Sequence, residues 1–268
     1  MIKKLIWILL IIFPISNSFG EATLKHVQTV AFDDGEQNQN NIIAGIEFNK
    51  DGTKLFTSSA NKLDTKFRLM EFNLSTPYDI SSRSYAGNGE RCTMTEVTLT
   101  PYDLEFNHDG TKLFVATRSA TNGKDKDKLL RYDLTTPYDI STCQFAQQTT
   151  NLDSADNLNN SAAGNFTDGA GHSNVRLQGI EFNNKGTKLF LSWFGNGDTV
   201  KLLEYTLSTP YDITSLQLVT TAGIDVGSST AAKVDNSAGM RFSANGKRIF
   251  IISHSGNSGI SQISLTNA

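Results

Sequence analysis

Four times along the chain, short runs with large apolar residues at every second position are separated by the same polar turn. In "GIEFNKDGTKLF", Ile46 and Phe48 fall on one side of an extended chain and Glu47 on the other. The intervening "NKDG" predicts a tight hairpin, because Asn and Asp fold their side chains onto the local backbone and Gly accepts a positive φ. "TKLF" begins a second strand. A third is predicted at "LMEFNL", with Met70, Phe72 and Leu74 on one face. "STPYDI" then turns the chain, Pro fixing φ and Asp capping, before a fourth strand that is clearest in "SLQLVTT".

The same words recur as "DLEFNHDGTKLF" with "KLLRYDLTTPYDIS", as "GIEFNNKGTKLF" with "KLLEYTLSTPYDIT", and as "GMRFSANGKRIF" with "GISQISLTNA". Self-similarity at this period predicts stacked supersecondary units. The modules lie near residues 41–90, 99–150, 175–222 and 235–268. The fold expected is all-β, a four-bladed β-propeller of four-stranded antiparallel blades. The fourth module stops after its third strand, while "ATLKHVQTVAFDD" aligns with the fourth-strand segment "SLQLVTTAGIDV". Residues 22–33 are therefore expected to complete the last blade, hiding an edge that would otherwise invite pairing with other chains.

Residues 1–20 read as a signal peptide: Lys3 and Lys4, an apolar run from Leu5 to Ile15, and a small-x-small exit at Ser18-Phe19-Gly20. The run is shorter than the roughly 20 residues of a spanning helix. The remaining 21–268 are expected to form a single exported domain, periplasmic or extracellular, monomeric and without a membrane span. Removing two lysines and no acids takes the formal charge from −3 to −5, and no basic stripe suggests nucleic acid. Cys92 and Cys143 are the two cysteines. Export permits a bridge. The strand alignment, however, puts Cys92 at the end of a fourth strand and Cys143 at the beginning of one, toward opposite faces, so separate buried thiols are expected.

The "F-N-x-D-G-T-K-L-F" hairpins resemble the "S-P-D-G-K-x-L" hairpins of WD40-like bacterial propellers, including the TolB-like (PD40) type and the YVTN-type surface and lactonase-like propellers. The "L-S-T-P-Y-D-I" segment is similar to that of bacterial and phage repeat proteins. The resemblance extends over nearly the whole chain after the leader and implies the propeller fold; it does not specify an activity.

Candidate chemistry is sparse. Asp51 and Asp109 resemble paired acids until Lys185 appears at the equivalent place, so they read as turn residues. One first-strand position reads Glu47, Glu105, Glu181 and Arg241, a ring able to hold a cation at a channel mouth or to form ion pairs between blades. Trp193 and Phe194 stand where other modules have small residues, so an exposed indole would anchor a sugar or a protein, unless it packs beneath the long insertion. His172 and His254, with Asp168 and Asp198, complete the candidate ligand-binding set on the variable loops, although metal-ligand spacing is missing. No nucleophile elbow, zincin motif, P-loop or dinucleotide fingerprint occurs, so no catalytic residue and no cofactor is assigned.

Turns of the "NKDGT" and "TPYDI" kinds fall at one end of the sheets and are nearly identical among modules. The connections at the other end, from "SSANKLDTK" to "NLDSADNLNNSAAGNFTDGAGHSN", vary widely. A rigid scaffold with diverse loops on one side predicts a non-catalytic binding propeller for a protein, glycan or small ligand. The alternative is an exported hydrolase or lactonase-like enzyme with a metal at the channel mouth.

Overall fold

The computed structural model describes residues 43–59, 67–87, 89–95, 100–118, 127–150, 152, 176–195, 199–219, 224–225, 237–243, 246–253 and 259–264. The chain divides into two units, residues 1–31 and 32–268, and every described residue belongs to the second. The expected leader and the expected closing strand at 22–33 lie outside the described residues.

Four antiparallel sheets follow one another in chain order. The first holds β1 (Ile43–Phe48), β2 (Lys54–Ser59) and β3 (Phe67–Leu74), with β4 (Arg83–Tyr85) and β5 (Arg91–Met94) both paired to β3. In the second, β6 (Thr100–Phe106), β7 (Lys112–Arg118), β8 (Lys128–Leu134) and β9 (Cys143–Gln148) lie in sequence order. The third runs β10 (Arg176–Phe182), β11 (Lys188–Gly195) and β12 (Thr199–Leu207), with β13 (Leu216–Leu218) and β14 (Ile224–Asp225) along β12. The fourth contains β15 (Ser237–Phe242), β16 (Arg248–Ser253) and β17 (Gly259–Ser264). The first strands of successive sheets touch: β1 meets β6, β6 meets β10, and β10 meets β15. Consecutive antiparallel sheets that each begin with the strand nearest a shared centre form a β-propeller arrangement. The helical pieces among the described residues are three-residue 3-10 turns, each capped by the Asp of "PYDI": the carboxylates of Asp79, Asp139 and Asp212 accept from the amides of Ser81, Ser141 and Thr214. No helix among the described residues is long and apolar enough to cross a membrane.

The two repeated turns of a module interlock. In the first hairpin the amide of Lys54 donates to Asn49 Oδ1 at 2.8 Å and that of Thr53 to Asp51 Oδ1 at 3.1 Å, while Gly52 takes φ +72°. Tyr78, from the "TPYDI" turn of the same sheet, lies across that glycine. Its amide donates to Gly52 O and its hydroxyl to Lys50 O, both at 2.8 Å. Tyr138 treats Gly110 and His108 in the same way, as does Tyr211 with Gly186 and Asn184. All three tyrosines adopt a left-handed φ of 55–60°. That conformation costs about 1–2 kcal/mol for a residue with a Cβ, and the paired hydrogen bonds offset it. The hairpin glycine is needed twice over, for its φ and because a Cβ on Gly110 would lie 2.3 Å from the Tyr138 ring. Gly246 in the fourth module has the same φ, +68°, yet no atom of the described residues lies within 4 Å of its notional Cβ. Gly246→Ala is therefore expected to cost about 1 kcal/mol, the backbone term alone, and Gly110→Ala about 2–3 kcal/mol once the ring must move. Chemical denaturation of the two variants measures the difference, and equal costs would refute the interlock.

Between sheets, phenylalanines of adjacent modules pack in tilted or edge-on pairs. Ring centroids are 4.7 Å apart for Phe56–Phe106, 4.4 Å for Phe114–Phe182 and 4.6 Å for Phe190–Phe242. Phe56, Phe106, Phe114 and Phe182 are buried, whereas Phe48, Phe190, Phe242 and Phe250 are half-buried. Polar clasps reinforce two of these interfaces. Lys54 Nζ donates to Tyr138 O at 3.0 Å, and Arg131 Nη1 to Tyr211 O at 3.2 Å.

The expectation of separate thiols is overturned: Cys92 and Cys143 form a disulfide with Cα atoms 5.8 Å apart. Two features of the fold explain it. The fourth strand of the first sheet is interrupted after Tyr85, and its second piece, β5, pairs Cys92 with Leu69, well inside the sheet. The 3-10 turn of the second sheet leans over that same region, the Ile140 amide reaching Glu71 Oε2 at 3.5 Å, and so delivers Cys143 to it.

Candidate functional site

Each first strand carries a bulge just before its inward-facing residue, with register shifts at Ile43/Gly45, Pro101/Asp103, Leu177/Gly179 and Ser237/Gly239. A bulge bends the strand and re-aims the next side chains. The four residues that follow at equivalent places are Glu47, Glu105, Glu181 and Arg241, and the structure brings them together.

Arg241 is the hub. Its Nη2 donates to Glu47 Oε2 at 2.5 Å and to Ile46 O at 3.1 Å, and its Nη1 donates to Glu181 Oε2 at 3.2 Å and to Met240 O at 2.9 Å. One guanidinium thus joins the first strands of the first, third and fourth sheets. The glutamates also accept from the backbone of the following sheet. Both oxygens of Glu105 receive the Phe182 amide, at 3.0 and 2.9 Å, and Glu181 Oε1 receives that of Phe242 at 3.3 Å. The ring is in this respect a set of ties between sheets.

Asp103 joins the ring without having been singled out by the repeat. Its Oδ2 accepts from the Ile180 amide at 3.1 Å and lies 3.8 Å from Arg241 Nη1. The signal was present in the alignment: Asp103 replaces the glycine that the other modules carry as Gly45, Gly179 and Gly239. A Cβ on Gly45 would come within 2.8 Å of Asp103 Cα, so the neighbouring strand needs glycine there.

Four carboxylates thus surround one guanidinium. Burial raises the Asp103 carboxyl to about 6, against the opposing pull of Arg241 and two backbone amides. Burial likewise raises Glu47, again opposed by Arg241. Glu181 is raised by burial, and Glu105 well above its ordinary range by burial together with the Glu181 charge. A carboxyl raised in the folded state binds its proton more tightly there than in the unfolded chain. Its contribution to stability therefore falls as pH rises from the ordinary carboxyl range, near ~4, through the folded value. Thermal unfolding is expected to occur at higher temperature at pH 5 than at pH 8, and Asp103→Asn and Glu105→Gln should each flatten that slope. A slope of opposite sign, or one untouched by both variants, would show that the ring does not govern it.

The other candidates that fall among the described residues do not join this ring. Trp193 is not an exposed anchor: it is fully buried, continuing the inward alternation of Leu189 and Leu191 into the cluster that holds Leu152 and Leu177. Phe194 is half-buried against Val200 and Leu202. His172, His254, Asp168 and Asp198 lie outside the described residues. Glu71, Glu90 and Asp139 converge to within 4.8 Å between the first two sheets, but Lys54 Nζ already pairs with Glu71 at 2.6 Å. Asp139 spends one oxygen capping its 3-10 turn.

No protein-family model and no curated protein matches the sequence. Among solved structures, the chain is similar to the periplasmic gluconolactonase PpgL of Pseudomonas aeruginosa, with 17% identity, a TM-score of 0.45, and coverage of 84% of this chain and 58% of that one. It is also similar to the β-propeller domain of Cps50 (Swd1) from Myceliophteria thermophila, with 10% identity, a TM-score of 0.44, and coverage of 90% and 58%. A putative 6-phosphogluconolactonase of Bacteroides fragilis gives 13% identity, a TM-score of 0.43, and coverage of 86% and 57%. The chain thus spans less than two thirds of the length of each of these structures.

Proposed function

We propose that the protein is an exported, non-catalytic binding propeller of four blades that takes a protein or glycan partner on its variable loop end. The observation that carries this reading is the difference between the two ends of the sheets. At one end the paired turns are locked by Tyr78, Tyr138 and Tyr211 in the same way in three modules. At the other, the β2–β3, β7–β8, β11–β12 and β16–β17 connections differ in length and composition. A scaffold held rigid at one end and free to vary at the other suits recognition. Export is supported by the leader-like first 20 residues and by a disulfide, which persists in oxidising compartments. Arg241 supplies the positive charge at the centre of the carboxylate ring, which favours a structural role there over a metal-centred one.

The test compares partner capture from envelope extract, together with glycan-array binding, for three proteins: the parent, a variant lacking residues 154–171, and Lys50→Ala at the exposed turn end. Binding lost only in the loop variant is the expected result. Binding that survives loop removal refutes the proposal. A stoichiometric divalent ion in the purified protein, lost in Glu47→Gln, would replace it with the metal-dependent hydrolase.

A further inference from the structure

Among the described residues, apolar clusters join the first sheet to the second, the second to the third and the third to the fourth. The remaining cluster, Leu55, Met70, Phe72 and Leu74 with Phe48, Ile80 and Tyr85 packed against it, belongs to the first sheet alone. The strands agree with the clusters. β2 touches β6, β7 touches β10 and β11 touches β15, whereas β16 makes no comparable contact with β1. The boundary between the fourth and first sheets is thus packed differently from the other three.

The repeat makes the difference specific. Phe56, Phe114 and Phe190 each meet a phenylalanine of the next first strand, but Phe250, at the equivalent place, meets no ring among the described residues. Leu104, Ile180 and Met240 are at most 2% exposed, whereas their counterpart Ile46 is 46% exposed. The carbonyls of Tyr138 and Tyr211 are clasped by Lys54 and Arg131 of the preceding sheet. Tyr78 is 56% exposed, and no described side chain donates to its carbonyl. Arg248, which stands in the fourth sheet where Lys54 stands in the first, is exposed and clasps nothing among the described residues.

Arg241 spans this boundary. Ile46, Leu104, Ile180 and Met240, at equivalent places in the four first strands, turn their carbonyl oxygens to its guanidinium at 3.1, 3.5, 3.4 and 2.9 Å. At two other boundaries a glutamate accepts the amide of the next first strand, Glu105 from Phe182 and Glu181 from Phe242. Arg241 has no acceptor to offer, so its link to the first sheet runs the other way, from the guanidinium to Ile46 O and Glu47. A partly exposed ion pair holds less firmly than a buried apolar cluster. We propose that the boundary between the fourth and first sheets is a seam that opens while the other three stay packed, with Arg241 as the latch that holds it shut. The first sheet stays with the second through the disulfide and the Phe56–Phe106 pair, and the fourth with the third through Phe190–Phe242 and Glu181. Opening the seam breaks neither a covalent bond nor an apolar cluster shared between sheets, and it is independent of any partner at the loop end.

Spin-label distances across two boundaries test the proposal. One labelled protein carries Lys50→Cys with Lys247→Cys, in exposed turns on either side of the seam, and the other His108→Cys with Lys185→Cys, in the exposed turns of the second and third sheets. A broad or two-peaked distance distribution is expected for the first pair and a single narrow one for the second. Glu47→Ala, which removes the carboxylate on the seam side of Arg241, should enlarge the long-distance population of the first pair and leave the second unchanged. Glu181→Ala should not, because an apolar cluster still joins the third sheet to the fourth. Equally narrow distributions for both pairs, a seam distribution untouched by Glu47→Ala, or equal widening of both pairs in that variant would each overturn the assignment. Should Glu47→Ala fail to fold, the two distributions without it still decide.

Discussion

Replacing Phe114 with alanine is expected to destabilise the protein by about 3–5 kcal/mol, the usual range for removing a buried phenylalanine ring. Phe114 is fully buried in β7, its ring 4.4 Å from that of Phe182 in the next sheet and 5.9 Å from that of Tyr211. Truncation removes one member of a three-ring contact that joins a strand pair, a neighbouring sheet and the interlocked turns. The aromatic contacts add about 0.5–1.5 kcal/mol beyond the area lost. Little can move into the space, because Leu177, Leu189 and Leu191 of the same cluster are already fully buried. Phe250→Ala provides the contrast: that ring is half-buried, so its truncation should cost less than half as much. Urea unfolding of both variants, with unchanged m-values, checks the pair. If Phe114→Ala unfolds at the parental midpoint, the ring packing between sheets does not hold the protein together.

Alternation and turn chemistry are local properties, which is why the strands and both repeated turns were legible in the sequence. The Asn49–Gly52 hairpin needs only its own residues to close. What Tyr78 does was not legible, because it requires knowing that two turns, with Gly52 and Tyr78 26 residues apart in the chain, meet at Gly52. For Trp193 the small counterparts Ser59, Thr117 and Ser253 left two readings open, an exposed anchor or an indole packed beneath the insertion. The better guide was its own strand, where Leu189, Leu191 and Trp193 keep one alternation and face one cluster. The ring of Glu47, Glu105, Glu181 and Arg241 was legible because the repeat aligned it. Asp103 escaped because it replaces a glycine, and only the approach of β1 to β6 shows why that position faces Arg241.

Loss of the Cys92–Cys143 bridge is expected to destabilise the protein on the order of 4 kcal/mol, the loop-closure entropy for a separation of 51 residues. The bridge ties the first sheet to the second across a boundary otherwise held by the tilted Phe56–Phe106 ring pair, the Lys54–Tyr138 clasp and the Glu71–Ile140 contact. None of these closes so long a loop covalently, so none can limit the unfolded chain as the disulfide does. Adding reductant should lower the denaturation midpoint of the parent and leave the double variant Cys92→Ser with Cys143→Ser unchanged. The double variant should itself be no more stable than the reduced parent, since Cys92 is fully buried and Cys143 half-buried, and a serine hydroxyl at the Cys92 position must give up water within an apolar cluster. The effect should also be specific to its interface. With the bridge gone, hydrogen exchange should rise first in β5 and at the start of β9, while β10 and β11, tied through Glu105 and Phe114, keep their protection. Two free thiols in the unreduced protein, measured by intact mass after alkylation, would remove the bridge. A reductant effect that persists in the double variant would show that the loss of stability has another source.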